Sequence, residues 1–232
     1  MVKFLINLLY LFQIKTPIKI VINFIKNFFL NYKTKRKSKK IETNLYQNFQ
    51  SKYNHRWFCT HLNFLTSNLK KNQNIKRILE IGSYEGLSAI FYLNLFKDSS
   101  IECVDTWSGG EQQPGEDFSF IEKNFDKNLN LYKNKVLKHK MLSDNFFAQN
   151  KNKFDLIFID GDHKYDQVKR DALNAWKILN NRGVLIFDDY TYNHYKKETS
   201  LNPAPAINEF IKNFSNEISK FVIWKQVIIF KK

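Results

Sequence analysis

Four short apolar runs in this chain each carry an acid at or beside their carboxyl end. Ile78 to Ile81 holds Glu80, and Ile101 to Val104 runs into Asp105. Phe154 to Ile159 runs into Asp160, and Gly183 to Phe187 runs into Asp188 and Asp189. An unpaired carboxylate at the end of an apolar strand is costly unless something binds it. Helix-like stretches, Ala89 to Phe96 and Val168 to Leu179, alternate with these runs. That alternation predicts a parallel sheet with helices on both faces, a Rossmann-like, doubly wound α/β fold. Ligands of such sheets bind outside the carboxyl ends of the strands, where all these acids fall. Val136 to Met141 is a weaker strand candidate, followed by Leu142, Ser143 and Asp144.

The first run continues as Glu80-Ile81-Gly82-Ser83-Tyr84-Glu85-Gly86. Gly82 allows a sharp turn and close approach of a ligand, because no Cβ stands in the way. A dinucleotide site wants G-x-G-x-x-G at this corner, so that a pyrophosphate can sit on the helix N-terminus. The chain offers E-x-G-x-x-x-G instead. One acid and one close-approach glycine suit a cationic cofactor without pyrophosphate, such as S-adenosylmethionine (SAM). Asp105 lies about twenty residues further on, where a carboxylate pairs with ribose hydroxyls.

A length of 232 residues with 43% hydrophobic content fits one domain plus an extension. Cys59 and Cys103 have no metal-ligand spacing, and a reducing cytoplasm suits them. Ten of the net fifteen positive charges fall in residues 1–40, which contain no acid, leaving +5 for the remainder. The catalytic region is therefore only mildly basic. No zinc-finger spacing or RNP-type motif appears, so nucleic acid is not the expected partner. Residues 4–30 are rich in Phe, Leu and Ile, but Lys15, Thr16 and Pro17 divide them, and each half falls short of the roughly 20 residues of a membrane span. Lys19, Asn23, Lys26 and Asn27 recur at helical spacing, with Ile18, Val21, Ile22, Ile25, Phe28 and Phe29 covering the remaining surface. This amphipathic helix, followed by the basic cluster Lys33 to Lys40, suits the surface of an anionic membrane, peripheral at its cytoplasmic face. A helical arm packed on the domain, or on another subunit of a homo-oligomer, explains the same pattern. Residues 33–44 read as a solvated linker closing an extension over 1–44. Residues 45–71 read as a helix opening a domain over 45–232. Because the expected sheet begins only at Arg77, residues 1–40 are expected to be dispensable for folding and chemistry.

LEIGSYEGLSAIFYL, CVDTWSGG and FDLIFIDGDHKYDQVKRDALNAWKILNNRGVLIFDDY, in that order, resemble the class I SAM-dependent methyltransferases. The likeness is greatest to the family called methyltransferase 24, and it covers roughly residues 55–232. It implies a seven-stranded sheet with an antiparallel last strand, for which Phe221 to Trp224 and Val227 to Phe230 would supply the closing hairpin. It also implies that Glu80, Gly82, Ser83 and Gly86 form the loop at the methionine end of SAM, with Asp160 also touching the cofactor. Asp105 would bind the ribose, Trp107 would flank the adenine, and Ser143 and Asp144 would meet its amino group. Leu142 departs from the pattern, standing where a glycine is common.

Asp160, Asp188 and Asp189 resemble the metal ligands of cation-dependent O-methyltransferases, and three oxygen ligands with open positions suit Mg²⁺. His163 stands where such enzymes place a general base, a role its ordinary pKa near 6.5 fits. The expected activity is O-methylation of a small-molecule or glycan hydroxyl, Mg²⁺-assisted, with His163 and Asp160 catalytic. Two other classes compete. A nucleotide-dependent oxidoreductase would use the sheet but lacks the glycine fingerprint, and no usable Y-x-x-x-K is expected after a suitable strand. A non-catalytic membrane-associated binding protein would leave four acid-tipped strands without a purpose. The segment Ser108 to Phe118 is expected to cover the acceptor site.

Overall fold

The computed structural model describes residues 2–32, 35–46, 55, 57–71, 74–110 and 113–232. Seven strands form one sheet: β1 (Arg77–Ile81), β2 (Ser100–Asp105), β3 (Val136–Lys140), β4 (Phe154–Ile159), β5 (Leu179–Phe187), β6 (Ile218–Ile223) and β7 (Val227–Lys231). Their spatial order is β3-β2-β1-β4-β5-β7-β6. β1 to β5 are mutually parallel, and β7 runs antiparallel between β5 and β6. The order reverses between β1 and β4, and that switch point opens a crevice at the carboxyl ends.

Side chains along the central strands alternate between two cores, as a period of two dictates. Ile78, Leu156, Phe158, Val184 and Ile186 face one side, against α4 (Leu62–Leu69), α5 (Leu87–Leu95) and α6 (Phe118–Leu129). Leu79, Ile157, Ile159, Leu185 and Phe187 face the other, with α7 (Ser143–Gln149), α8 (Tyr165–Ile178) and α9 (Pro203–Asn213). The sheet is thus buried on both faces, which explains why its strands read as continuous apolar runs. α8 shows how a helix earns its place: Val168, Ala172, Ala175 and Trp176 recur at helical spacing and are all buried.

The amino-terminal residues form α1 (Val2–Gln13) and α2 (Ile18–Tyr32), joined by a turn in which Lys15 has a φ of 52°. Their inner faces enter the second core through Leu11 and Phe24, both 0% exposed, together with Tyr10, Ile20 and Val21. β6 is the edge of the sheet, and Asn23 of α2 closes part of it. The Asn23 side chain donates to Phe221 O (3.2 Å) and accepts from Ile223 N (2.8 Å), as a neighbouring strand's peptide would. At the hairpin turn, Asn208 Nδ2 donates to Thr16 Oγ1 (3.1 Å), and Asn208 Oδ1 accepts from the Tyr190 hydroxyl (2.8 Å).

Two expectations change. The stretch 33–44 is not a solvated linker where it is described: Lys35–Tyr46 is helix α3. Straight-chain Lys and Glu suit a helix, Ile41 and Leu45 pack on the α4–α6 core, and Ser38 Oγ accepts from Asn63 N. The helix expected across 45–71 is a 3-10 turn, Trp57–His61, followed by α4; residues 47–54 lie outside the described residues. Because α1 and α2 share the core, Phe24→Ala is expected to destabilise the chain by about 3–5 kcal/mol, measured by chemical denaturation. A variant as stable as the wild type would mean that the hairpin is a detachable arm.

Candidate functional site: an acidic cavity at the carboxyl ends of the strands

The sheet ladder runs on into the loops. Asp160 N donates to Ile81 O (2.8 Å), Asp188 N to Ile159 O (3.0 Å) and Gly82 N to Val104 O (2.8 Å). Gly82 has a φ of +85°, and a Cβ there would sit 2.0 Å from the Asp160 carbonyl oxygen. Only glycine lets the β1 loop pass this close to the exit of β4. Asp105 ties the same loop to β2. Its Oδ2 accepts from Ser83 N (2.8 Å) and Tyr84 N (2.9 Å), and its Oδ1 accepts from Trp107 N (2.8 Å). Trp107 Nε1 returns the tie by donating to Tyr84 O (2.9 Å). The Trp107 ring is buried against Phe125, with Lys138 Nζ 4.7 Å from its centroid.

Above these loops lies a cavity of about 980 Å³, roomy for a cofactor with a second small molecule beside it. Gly82, Ser83, Asp105, Trp107, Ser143, Asp144, Asp160, His163, Asp188 and Asp189 all line it. Glu80 and Gly86 do not. Gly86 lies behind the wall, in the left-handed region, as the N-cap of α5. Glu80 is wholly buried beneath the floor, where Cys103 Sγ donates to Oε2 (3.6 Å) and Oε1 has no partner. Burial pushes its pKa up to about 7, against the pull of the nearby Ser83 and Ser88 hydroxyls.

At one end of the cavity the α7 N-terminus presents Ser143 and Asp144. Ser143 Oγ donates to Asp171 Oδ1 (2.7 Å), which also accepts from Gln167 Nε2 (3.0 Å). Asp144 pairs with Arg170 at 3.4 Å. Asp171 was not anticipated from the sequence. It lines the cavity, is 1% exposed, leaves Oδ2 without a partner, and is raised by burial to about 6. The signal was available, since an acid stands among the apolar positions Val168, Ala172 and Ala175 on the buried face of α8. At the mouth, Trp57 stacks on His55 (4.2 Å between centroids), and Glu116 bridges His55 (2.9 Å) and the Tyr84 hydroxyl (3.2 Å). These aromatic residues and Glu116 also escaped the sequence reading. Within the expected cover Ser108–Phe118, residues 111 and 112 lie outside the described residues.

The strand-end acids converge on His163. Its Nε2 lies 3.0 Å from Asp189 Oδ2 and 3.5 Å from Asp160 Oδ1, and these ligand-type atoms of the three residues lie within 4.8 Å of one another. Asp188 is not in that group. It is buried one residue earlier, with Oδ1 accepting from Asp189 N (2.7 Å). The set brought together is therefore Asp160, His163 and Asp189, where the sequence resemblance implied three aspartates. Burial opposes the imidazolium, but Asp160 and Asp189 outweigh it and hold His163 well above 6.5. Burial likewise raises Asp160, and raises Asp188 well above the carboxylate range with help from Asp160 and Asp189. Asp189 goes the other way: His163 overcomes its burial and holds it low. The two carboxylates thus favour the protonated imidazole. Nearby His61 is held neutral, driven down to about 3 by burial.

Eight carboxylates and two lysines line the cavity among the described residues. That balance repels a pyrophosphate and favours a cationic ligand. A buried wall atom without a partner, Asp171 Oδ2, is open to a ligand's donor, and the Ser83 hydroxyl borders the same cavity, so the residues present fit SAM. The sequence does hold a Y-x-x-x-K at Tyr165 and Lys169, against expectation. Both bond to Glu209 and neither lines the cavity.

The buried acids make stability depend on pH. Glu80 has a folded pKa near 7, above its ordinary 4.5. A group raised on folding stabilises the fold below its unfolded pKa and loses that contribution as pH rises through the folded value. Ligand-free protein should therefore lose up to about 3 kcal/mol through Glu80 between about pH 4.5 and pH 7. Glu80→Gln should flatten the fall in melting temperature over that range; identical slopes in the two proteins would refute this assignment.

Residues 79–190 match the Methyltransferase domain family, methyltransferase 24. An O-methyltransferase from Bacillus cereus, solved with SAH, is similar in structure with a TM-score of 0.57 at 18% identity, covering 86% of this chain and 91% of that one. The O-methyltransferase TomG from Streptomyces achromogenes, solved with SAM, gives 0.55 at 14%, covering 75% and 81%. The methyltransferase MycE of mycinamycin biosynthesis, solved with Mg, SAH and mycinamycin VI, gives 0.52 at 14%, covering 78% and 50%. An uncharacterized protein of Acanthamoeba polyphaga mimivirus is 35% identical over 60 residues, 26% of this chain, which spans a quarter of that relative's length. The strand order with its antiparallel β7, the glycine loop and the family match agree: residues 79–190 form a methyltransferase domain, on the fold that the chain shares with these SAM- and SAH-bound enzymes.

Proposed function

We propose that this methyltransferase acts on a hydroxyl of a small molecule or glycan, assisted by a divalent ion such as Mg²⁺. The observation that carries the reading is the Asp160–His163–Asp189 cluster facing the SAM-sized, acid-lined cavity. SAM, when bound, supplies an electrophilic methyl carbon on a sulfonium. Ser83 and the β1 loop would hold its methionine end. Asp105 has three of its roughly four acceptor positions used by backbone amides, leaving one for a ribose hydroxyl. Trp107, Ser143 and Asp144 would border the adenine. Asp171 extends that wall with an open acceptor for the amino group.

Carboxylate oxygens beside the imidazole can hold a divalent ion with open positions, which leaves His163 free to act as the base. Asp160 and Asp189 supply the oxygens, and Asp188 lies one residue away. Oxygen ligands suit Mg²⁺ and Mn²⁺. Such an ion would polarise the acceptor hydroxyl and displace the proton from His163. Neutral His163 would then take the acceptor's proton, and the flanking carboxylates would stabilise the imidazolium that results. Asp160 serves both as ligand and as partner of that base.

Methyl transfer from labelled SAM to extract acceptors should stop in EDTA and return with Mg²⁺ or Mn²⁺. Asp189→Asn should lower the rate at least about a hundredfold while leaving SAM binding by calorimetry intact. Full activity in chelator would remove the ion and leave methyl transfer standing. Asp105→Ala should weaken SAM binding about ten- to hundredfold. Unchanged affinity would place the ribose elsewhere.

A further inference from the structure

We infer that the outer face of the α1–α2 hairpin docks on an anionic membrane surface, lying in the headgroup plane. The inner faces of both helices are spent in the core, as described above. Their outer faces are apolar as well. On α1, Val2, Leu5, Ile6, Leu9 and Phe12 are exposed and recur at helical spacing, i to i+3, i+4 and i+7. On α2, Ile18, Ile22 and Phe29 are exposed along one side. Nine of the sixteen exposed large apolar side chains among the described residues fall within residues 2–30. A concentration of this kind marks an interaction surface.

Charge chooses the occupant. Lys3, Lys15, Lys19 and Lys26 are exposed on the hairpin, and no acid precedes Glu42. A second copy meeting this face about a two-fold axis would bring the same lysines together. Anionic headgroups supply the opposite charge beside an apolar layer for the leucines and phenylalanines. Crossing the bilayer is ruled out for these helices. At 12 and 15 residues they reach roughly 18 and 23 Å, against about 30 Å of hydrocarbon. No described helix is long and apolar enough to cross a membrane.

Flotation of the full chain with vesicles of phosphatidylcholine and phosphatidylglycerol at low salt tests the inference. Binding is expected, with weaker binding to phosphatidylcholine alone and in high salt. Leu5→Glu with Leu9→Glu should lower vesicle affinity by about tenfold or more and leave the melting temperature and SAM binding unchanged. Lys15→Gln, Lys19→Gln and Lys26→Gln together should also lose binding, without touching an apolar residue. The inference fails if the full chain does not float with anionic vesicles. It also fails if the variants float as well as wild type, or if neutral vesicles bind equally. Light scattering that finds a dimer broken by the leucine variant would give the face to a second copy and overturn the inference.

Discussion

The site depends on the Asp105 carboxylate. Three backbone amides from two loops converge on it, Ser83 and Tyr84 from the β1 exit and Trp107 from the β2 exit. Charge-assisted bonds of this kind are about twice as strong as neutral ones, and here they fix the loop that must also slip past the Asp160 carbonyl at Gly82. Asp105 therefore shapes the cavity floor before any ligand arrives. The sequence spacing that suggests a ribose partner is the same spacing that lets this acid hold the glycine loop. The two roles share one carboxylate because backbone amides leave one acceptor position open. Loss of Asp105 would act first on the loop and through it on SAM. Asp105→Asn, which keeps an acceptor oxygen, separates the two effects better than alanine does.

The second constraint is electrostatic. Glu80, Asp160, Asp171 and Asp188 are each raised by burial; three of them line one cavity and Glu80 lies beneath its floor. A fold that gathers so much latent negative charge in one buried place is less stable without a partner that is positive. His163 meets part of that need, because Asp160 and Asp189 beside it favour its protonated form. On the proposed reading, a cation held by these carboxylates would free His163 to act as a base. Binding and deprotonation would then be coupled through a single imidazole.

Much of the sheet was legible because its strands are buried on both faces. β1, β4 and β5 announce themselves as apolar runs, and each acid follows where the ladder stops. β3 was faint because Lys138, His139 and Lys140 belong to an edge strand, whose outer side answers to solvent and to Glu122, Asp126 and Glu102. The cavity wall was legible where residues lie next to a strand end, as with Asp105, Asp160 and Asp189. It was not legible where helices or loops carry residues in from a distance. Asp171 enters from within α8, and Trp57 and His55 enter from a segment twenty or more residues before β1. His163 shows a different limit. Its position in the chain suggested a base, but its charge state is set by Asp189, a residue on another strand's exit.

The amino-terminal sequence suits both a packed arm and a membrane helix, and the two faces of its helices make that opposition unnecessary. A periodicity plot cannot say which side of a helix that is apolar nearly all round meets the protein. The Asn23 bonds to the β6 edge decide it, turning Val21 and Phe24 inward and Ile22 and Phe29 outward. The hairpin turn is joined through Thr16 and Asn208 to Tyr190, the residue after Asp189. A surface docked on lipid by this hairpin is thus only two side-chain bonds from the β5 exit that carries part of the reactive cluster. Such an enzyme would hold its cavity at a fixed distance from the headgroups, favouring acceptors presented at that surface over those free in solution.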